Sequence, residues 1–288
     1  MAVAEVRDRE QRGHVGHRHE HQEPAGDHRA SSTRVHCRHD WRHPALDAAR
    51  VRAKHGGMTA PAPIRFSAAP AQAPALGDEV HVWHLGHAGT RPAEVAVHAR
   101  AALDALLCMY AGLACAPAIE RGAQGKPFAP ALGDFEFNLS HAGCDVLLAF
   151  ARGQAVGVDL ERVDRRVALD AIAQRHFSSA EARALARLEP GPRRERFLEL
   201  WTRKEAVLKA LGEGLSFGLA RVEFGLDADA RVGALRGPLA HPHWQLHALA
   251  PASGLVGTLA WRGAPRPVRA FVLPHARLAT FAHARTSL

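Results

Sequence analysis

The sequence predicts an α+β protein built from two similar halves, each containing strands and helix. Three observations predict this class: short stretches of alternating apolar and polar residues, long segments with helical apolar spacing, and a faint internal repeat. In the repeat, Val80–Gly86 parallels Val156–Arg162, and each stretch precedes helical sequence and later strands. The chain of 288 residues is long enough for one large domain or two small ones with a buried core.

Composition and charge narrow the class of protein. The longest apolar run, Ala105–Ile119, is too short to span a membrane, and the charged N-terminus has no apolar signal core. The four cysteines lack the spacing of a zinc site. These features predict a cytoplasmic protein without a membrane segment. The formal charge of +8 suits an anionic ligand, an acidic protein partner or nucleic acid, and composition does not choose between them.

The composition changes along the chain and predicts four regions. Residues 1–74 are first His/Arg-rich and then Ala/Pro-rich, and they predict a disordered extension. Met58 opens an ordinary protein start after two glycines, so we expect translation to begin there. Residues 75–155 and 156–262 are predicted to be the two halves of the folded domain, and residues 263–288 a C-terminal tail.

The first half is predicted to contain one long helix among strands. Pro92 lies near the first turn of a helix that reaches Tyr110, with apolar residues at helical spacing. The remaining elements are a turn at Gly125–Pro127 and strands at Glu79–Leu85, Phe135–Leu139, Val146–Ala151 and Ala155–Leu160. We predict that the last two strands pair through 152–154.

The second half is predicted to contain short helices, one long helix and an antiparallel sheet. Ser178 and Glu181 form a capping box that opens a helix, after a short helix over Val167–Arg175. The long helix runs over Arg194–Leu211 and ends at Gly212. The strands of the sheet are Ala220–Gly225, His243–Ala250 and Gly254–Trp261.

Acidic residues on a strand and on the long helix indicate the chemistry. Asp159 and Glu161 point the same way on a strand, and Glu205 and Lys209 share one face of the helix. Mg2+ usually takes one or two carboxylates and fills its other positions with phosphate oxygens and water. Lysine is a natural partner of phosphate. The pattern predicts metal-assisted transfer of a phosphate-containing group.

Four motifs occur in one order along the chain. They are Gly125-Lys126-Pro127, Asn138-Leu139-Ser140-His141, Gly157-Val158-Asp159-Leu160-Glu161 and the segment Trp201–Leu215. In residues and order, the chain resembles the 4'-phosphopantetheinyl transferases of the Sfp type, over about Ala75–Leu273. The resemblance implies a pseudo-twofold pair of α+β halves with antiparallel sheets and a long motif helix, present as a monomer.

The resemblance also implies an activity and its residues. The reaction would transfer 4'-phosphopantetheine from coenzyme A to a serine of an apo acyl or peptidyl carrier protein, with Mg2+, and release adenosine 3',5'-bisphosphate. The carrier could serve fatty-acid, polyketide or peptide synthesis. The implied residues are the metal ligands Asp159, Glu161 and Glu205, the catalytic Glu205 (general base) and Lys209 (pyrophosphate contact), and the coenzyme A contacts Lys126, Ser140, His141, Lys209 and Arg100.

Two features depart from the family pattern. The stretch 85–91 is short where the family carries a longer basic segment, and Asp104 stands where the family tends to have a second arginine after Arg100. The contacts to adenine and the 3'-phosphate therefore stay open, with Arg91 and Arg100 as the compensating candidates.

Ordinary structural roles compete with several of these assignments. Glu205 and Lys209 could form a simple helix ion pair, because glutamate four residues before lysine is the favourable order. Trp201 is better interpreted as a core anchor, and Lys204 is expected at the rim of the site or at the phosphates. Two other classes stay open: a non-catalytic homologue that binds coenzyme A or a carrier protein, and a nucleic-acid-binding protein, for which no motif is present.

Overall fold

The protein is described by a computed structural model over residues 62–70, 74–89, 91–214, 217–227 and 231–275. The candidate start Met58, the His/Arg-rich stretch before it and Leu215 at the end of the fourth motif lie outside the described residues. No helix in the described ranges combines the length and apolarity needed to cross a membrane.

The described residues form thirteen strands and four α-helices. The strands are β1 (Ile64–Arg65), β2 (Ser67–Ala68), β3 (Val80–Leu85), β4 (Glu120–Arg121), β5 (Pro127–Phe128), β6 (Phe135–Ala142), β7 (Asp145–Arg152), β8 (Val156–Arg162), β9 (Glu223–Leu226), β10 (Val232–Arg236), β11 (Trp244–Ala250), β12 (Leu255–Arg262) and β13 (Val268–Val272). The helices are α1 (Pro92–Ala111), α2 (Leu169–His176), α3 (Ser179–Ala186) and α4 (Pro190–Leu211).

Two main sheets share a core. One has the strand order β2-β13-β3-β7-β6 and the other has the order β1-β11-β12-β8. A single cluster of buried side chains combines Val80, Val82 and Leu147 of the first sheet with residues of the second, including Val158 and Trp261. The two sheets therefore pack face to face, as expected when each sheet buries one apolar face.

Each sheet carries a long helix on its other face. Helix α1 packs against the five-stranded sheet through Leu103 and Leu106, in a cluster that includes Trp83 and Phe150. Helix α4 packs against β8 and β12 of the four-stranded sheet. The predicted α+β class with two similar halves is confirmed. The pairs β3/β7, β6/β7, β8/β12 and β11/β12 are antiparallel, whereas β1/β11, β2/β13 and β3/β13 are parallel.

The predicted pairing of the two strands around 152–154 is wrong. Strand β7 pairs with β6 in the five-stranded sheet, and β8 pairs with β12 in the four-stranded sheet. The physical reason is burial on both faces of β7: Leu148 faces the cluster under α1, and Leu147 faces the core between the sheets. The link 153–155 therefore carries the chain from one sheet to the other.

The two ends of the described chain belong to the sheets. Strand β13 lies between β2 and β3, with Phe271 buried, so the predicted tail from residue 263 contributes a strand to the five-stranded sheet. Strands β1 and β2 likewise lie within the extension that was predicted to be disordered up to residue 74. The two short strands form because the folded chain brings parallel partners to them from its C-terminal part: β11 pairs with β1, and β13 pairs with β2.

The predicted helices are present, with one extension. The capping box is confirmed, because Ser178 Oγ accepts the Glu181 N–H at 3.3 Å and a Glu181 carboxylate oxygen accepts the Ser178 N–H at 2.9 Å. Helix α4 begins at Pro190 and not at Arg194. The N–H groups of the first helical turn have no acceptor within the helix, so a proline there loses no hydrogen bond. The Pro-Gly-Pro segment can therefore begin the helix.

Candidate active site between strand β8 and helix α4

Gly157 allows α4 to lie directly on strand β8. A Cβ atom at Gly157 would stand 2.0 Å from the carbonyl oxygen of Ala206 and 2.4 Å from the backbone nitrogen of Ala210. Only glycine permits this approach of the two backbones. Because Glu205 and Lys209 directly precede these two helix residues, the contact brings them to the strand face that also carries Asp159.

Asp159 and Lys209 form the centre of the site. Asp159 is fully buried, and its Oδ1 accepts hydrogen bonds from Lys209 Nζ at 2.7 Å and from Ser140 Oγ at 2.8 Å. Lys209 Nζ also donates to Ser140 Oγ at 3.0 Å and to the carbonyl oxygen of Val158 at 3.1 Å. The ion pair of Lys209 is therefore with Asp159, and the simple helix pair with Glu205 is not the one formed.

Two carboxylate oxygens at this centre are buried without a partner. Asp159 Oδ2 and Glu205 Oε1 accept no hydrogen bond from any described residue, and Glu205 is only 1% exposed. Burial, together with the nearby Asp159 carboxylate, raises the pKa of Glu205 to about 7, while Lys209 acts in the opposite direction. Buried carboxylate oxygens without partners are costly, so these two atoms indicate a place for a cation or an ordered water.

Glu161 lies beside this pair but is already engaged. It is 2% exposed, and its Oε1 accepts a hydrogen bond from Arg165 Nη1 at 2.6 Å. As the side chains stand, no group of three His, Cys, Asp or Glu residues in the described part of the chain could hold a metal ion. The donor set of Asp159 and Glu205 nevertheless fits Mg2+, which takes as few as one or two carboxylates.

Two partly exposed lysines, Lys126 and Lys209, lie near the C-terminal end of α4. Lys126 Nζ donates to the carbonyl oxygen of Val156 at 3.3 Å and lies 3.5 Å from Glu136, and its stem faces Gly212 at the end of α4. The side chains of Lys126 and Lys209 are 18% and 15% exposed. Burial lowers the pKa of Lys126, while Glu136 acts in the opposite direction. The Lys209 ammonium therefore contacts the acidic centre, and the Lys126 side chain lies near the C-terminal end of the same helix.

Strand β6 presents Ser140 and His141 to opposite sides. Ser140 is buried and contacts the acidic centre, whereas His141 is exposed. The alternation of side chains along a strand explains this difference.

Arg100 is not brought into contact with the acidic centre. It lies on α1, which covers the face of the five-stranded sheet away from the shared core, and its Nε donates to Asp104 Oδ1 at 2.8 Å. Its side chain is 54% exposed. The predicted role of Arg100 in binding coenzyme A stays a prediction. Asp104, which departs from the family pattern, forms an ion pair with this arginine.

The expected place of Lys204 at the rim is wrong. Lys204 is fully buried, and its ammonium donates to Glu181 at 2.8 Å, to the carbonyl oxygen of Leu219 at 3.1 Å and to that of Val222. One residue before Glu205, it faces α3 and not β8. The interpretation of Trp201 as a core anchor is confirmed, since it is 2% exposed and packs with two phenylalanines.

Sequence reasoning assigned no role to two residues that shape the site. Asn138 Oδ1 accepts the Val158 N–H at 2.9 Å and so ties β6 to β8 beside Ser140. Its signal was a polar residue within an alternating strand, at a position that proves to be buried. Arg165 lies in the loop after β8, and no periodicity or motif distinguished it from the other arginines of the chain.

We expect Glu205 to make stability depend on pH in the metal-free protein. Because its pKa is raised in the folded state, the folded chain binds this proton more strongly, and the free energy of unfolding falls as pH rises from about 4.5 to about 7. The change attributable to Glu205 is on the order of 3 kcal/mol. Denaturant titrations of wild type and Glu205→Gln at pH 5 and pH 7.5, with chelator, would measure it as a difference. Equal pH dependence in both proteins would contradict the raised pKa.

The fold and the site define a class of protein: two α+β halves with a buried acidic centre that is contacted by the Lys209 ammonium and suited to a divalent cation. Residues 155–260 match the sequence model of the 4'-phosphopantetheinyl transferase superfamily. Over this region the chain is similar to that superfamily, and its resemblance to the Sfp type is confirmed.

Named relatives are similar over the same part of the chain. The 4'-phosphopantetheinyl transferase Sfp of Bacillus subtilis (strain 168) is 37% identical over 108 residues, which is 38% of this chain and 47% of the relative. The 4'-phosphopantetheinyl transferase AcpT of Escherichia coli (strain K12) is 39% identical over 97 residues, 33% of this chain and 49% of the relative. The phosphopantetheinyl transferase of Thraustochytrium sp. is 34% identical over 130 residues, 41% of this chain and 45% of the relative. The chain thus spans about half the length of the curated relatives it matches.

A solved structure is also similar to part of the chain. The holo-[acyl-carrier-protein] synthase of Thermotoga maritima is 26% identical, over 38% of this chain and 64% of that chain, with a TM-score of 0.29. A superposition this loose supports no further comparison of the two folds.

Proposed function

We propose that this protein is a Mg2+-dependent 4'-phosphopantetheinyl transferase that moves phosphopantetheine from coenzyme A to a serine of an apo acyl or peptidyl carrier protein. The observation that carries the proposal is the pair of buried oxygens without partners, Asp159 Oδ2 and Glu205 Oε1, beside the Lys209 ammonium. The proposal includes a monomer acting in the cytoplasm, as the motif resemblance and the composition imply.

The metal would be held by Asp159 and Glu205, with Glu161 as the third ligand once its oxygen is released by Arg165. When bound, Mg2+ would neutralise the charge that develops on the leaving bisphosphate. Lys209, whose ammonium lies 2.7 Å from Asp159 Oδ1, would then lie beside the bound phosphates.

The phosphate groups of coenzyme A would be bound at the edge of the acidic centre. Lys126 and Lys209 offer two partly exposed ammonium groups at the same end of α4. Ser140 Oγ, held between Asp159 and Lys209, and the exposed His141 add donors on β6. Arg100 is proposed to contact the nucleotide from α1, with Asp104 as its present partner.

Glu205 would act as the general base. Burial raises the pKa of Glu205 to about 7 in the metal-free protein, and a bound Mg2+ would lower it again, which would leave the ionised carboxylate able to accept a proton at neutral pH. The Glu205 side chain is 1% exposed, and the serine proton would pass to it directly or through a water. Lys209 would then stabilise the leaving phosphate as the bond to the bisphosphate breaks.

The test is the intact mass of an apo carrier protein after incubation with this protein, coenzyme A and Mg2+. We expect a mass gain equal to one phosphopantetheine, and no gain with excess chelator or with Asp159→Asn. Coenzyme A binding without any mass gain on carriers of fatty-acid, polyketide and peptide synthesis would overturn the proposal and leave a non-catalytic binding protein.

A further inference from the structure

Arg165, in a loop outside the four motifs, forms an ion pair with a carboxylate of the acidic centre. Its Nη1 lies 2.6 Å from Glu161 Oε1, and the two side chains are 15% and 2% exposed. A charge-assisted hydrogen bond this short, in so buried a place, is among the stronger contacts of the site. Of the three acidic residues, Glu161 is thus the one with an oxygen held by an arginine.

The charges of the centre are incompletely balanced. Three carboxylates, Asp159, Glu161 and Glu205, face two cations, Lys209 on Asp159 and Arg165 on Glu161. A divalent cation entering beside them would attract the carboxylates and repel both cationic side chains. A pyrophosphate would attract the cationic side chains and repel the carboxylates. A guanidinium is suited to bidentate binding of phosphate oxygens.

The loop allows the Arg165 side chain to change partner while its backbone stays in place. The carbonyl oxygen of Arg165 accepts a hydrogen bond from Arg194 Nη1 of α4 at 2.5 Å, and its N–H donates to Arg162 at 3.3 Å. The guanidinium carbon also lies 6.0 Å from the centre of the Trp201 ring, a cation–π distance. Trp201 therefore remains as a support for the guanidinium when Glu161 is released.

We propose that Arg165 is a latch that couples metal binding to coenzyme A binding: it binds Glu161 when no metal is bound, and it binds the pyrophosphate when the metal binds this carboxylate. This inference rests on the metal and pyrophosphate sites of the proposed function and adds a residue and an order to them. Two consequences follow. First, Arg165 weakens metal binding in the absence of coenzyme A. Second, it increases the factor by which each ligand raises the affinity for the other, and linkage requires this factor to be the same in both directions.

The test compares Arg165→Gln with Arg166→Gln, the exposed arginine next to it on the same loop, which undergoes the same change of charge. Calorimetric titration of the full-length protein would measure Mg2+ affinity with and without coenzyme A, and coenzyme A affinity with and without Mg2+. For Arg165→Gln we expect Mg2+ alone to bind about ten-fold more tightly, and the factor by which each ligand improves the other to fall by about ten-fold. Arg166→Gln should resemble wild type.

Further variants separate the latch from its alternatives. Arg165→Lys keeps the charge without the planar fork, so we expect Mg2+ alone to bind as in wild type but with reduced coupling to coenzyme A. Thermal unfolding of each variant checks that it is folded. Weaker Mg2+ binding in Arg165→Gln, or affinities equal to those of Arg166→Gln, would overturn the latch. If instead the coupling behaves as expected and no carrier protein gains mass, the latch stands and the proposed transfer is wrong.

Discussion

Replacing Glu205 by glutamine is expected to abolish transfer while the protein stays folded and still binds coenzyme A. The amide cannot accept the serine proton, and loss of a general base costs about 10²–10⁴-fold in rate. Weaker metal binding would add to that loss, because Glu205 Oε1 is one of the two buried oxygens without a partner. The measurement is the rate of mass gain on an apo carrier protein at saturating coenzyme A and Mg2+.

The matched control for this variant is Glu195→Gln on the same helix. Glu195 is exposed in the first turns of α4, whereas Glu205 is 1% exposed beside β8. The control should keep the wild-type rate and the wild-type stability. Near-normal turnover of Glu205→Gln would refute its role as the base, and lost coenzyme A binding would show that the change acts on the site as a whole.

Replacing Gly157 by alanine is expected to disrupt both the fold and the site. The added Cβ would stand 2.0 Å from the Ala206 carbonyl oxygen and 2.4 Å from the Ala210 nitrogen, and neither backbone atom can turn away as a side chain could. Helix α4 would have to move off β8. We expect the free energy of unfolding to fall by about 3 kcal/mol or more. Displacement of Glu205 and Lys209 by about 1 Å would reduce transfer by about 10²-fold.

Gly191→Ala provides the comparison for this prediction. Gly191 lies in the first turn of the same helix, and a Cβ there would meet nothing within 4 Å. Alanine at that position should leave stability unchanged or slightly higher, because it favours the helix. Denaturant unfolding and the carrier-protein assay would compare the two. Equal stability of both variants would contradict the close contact between α4 and β8.

Local patterns predicted most of the elements in which the site lies. Alternation identified the strand of Asp159, and helix formers with a terminal glycine identified the helix of Glu205 and Lys209. Both signals depend on near neighbours in the chain, so they survive without knowledge of the fold. The capping box at Ser178 was predictable for the same reason.

Contacts between distant segments could not be predicted in this way. Lys204 and Glu205 are adjacent, yet one is enclosed with Glu181 and the other lies with Asp159. A helical pattern shows that they point in different directions, but it does not show what lies in either direction. The assignment of β7 and β8 to different sheets is of the same kind, because both strands are apolar and either partner satisfies the pattern.

The amino-acid sequence alone determined the α+β class, the strand and helix that carry the carboxylates, and the resemblance to a transferase family, because each rests on residue types and short spacings. Only the tertiary structure decided which charges meet: Lys209 with Asp159, Arg165 with Glu161, and Glu205 with an oxygen left unpaired. The reason is that burial and the approach of α4 at Gly157 are properties of packed segments, and packing selects among partners that the sequence leaves equally available.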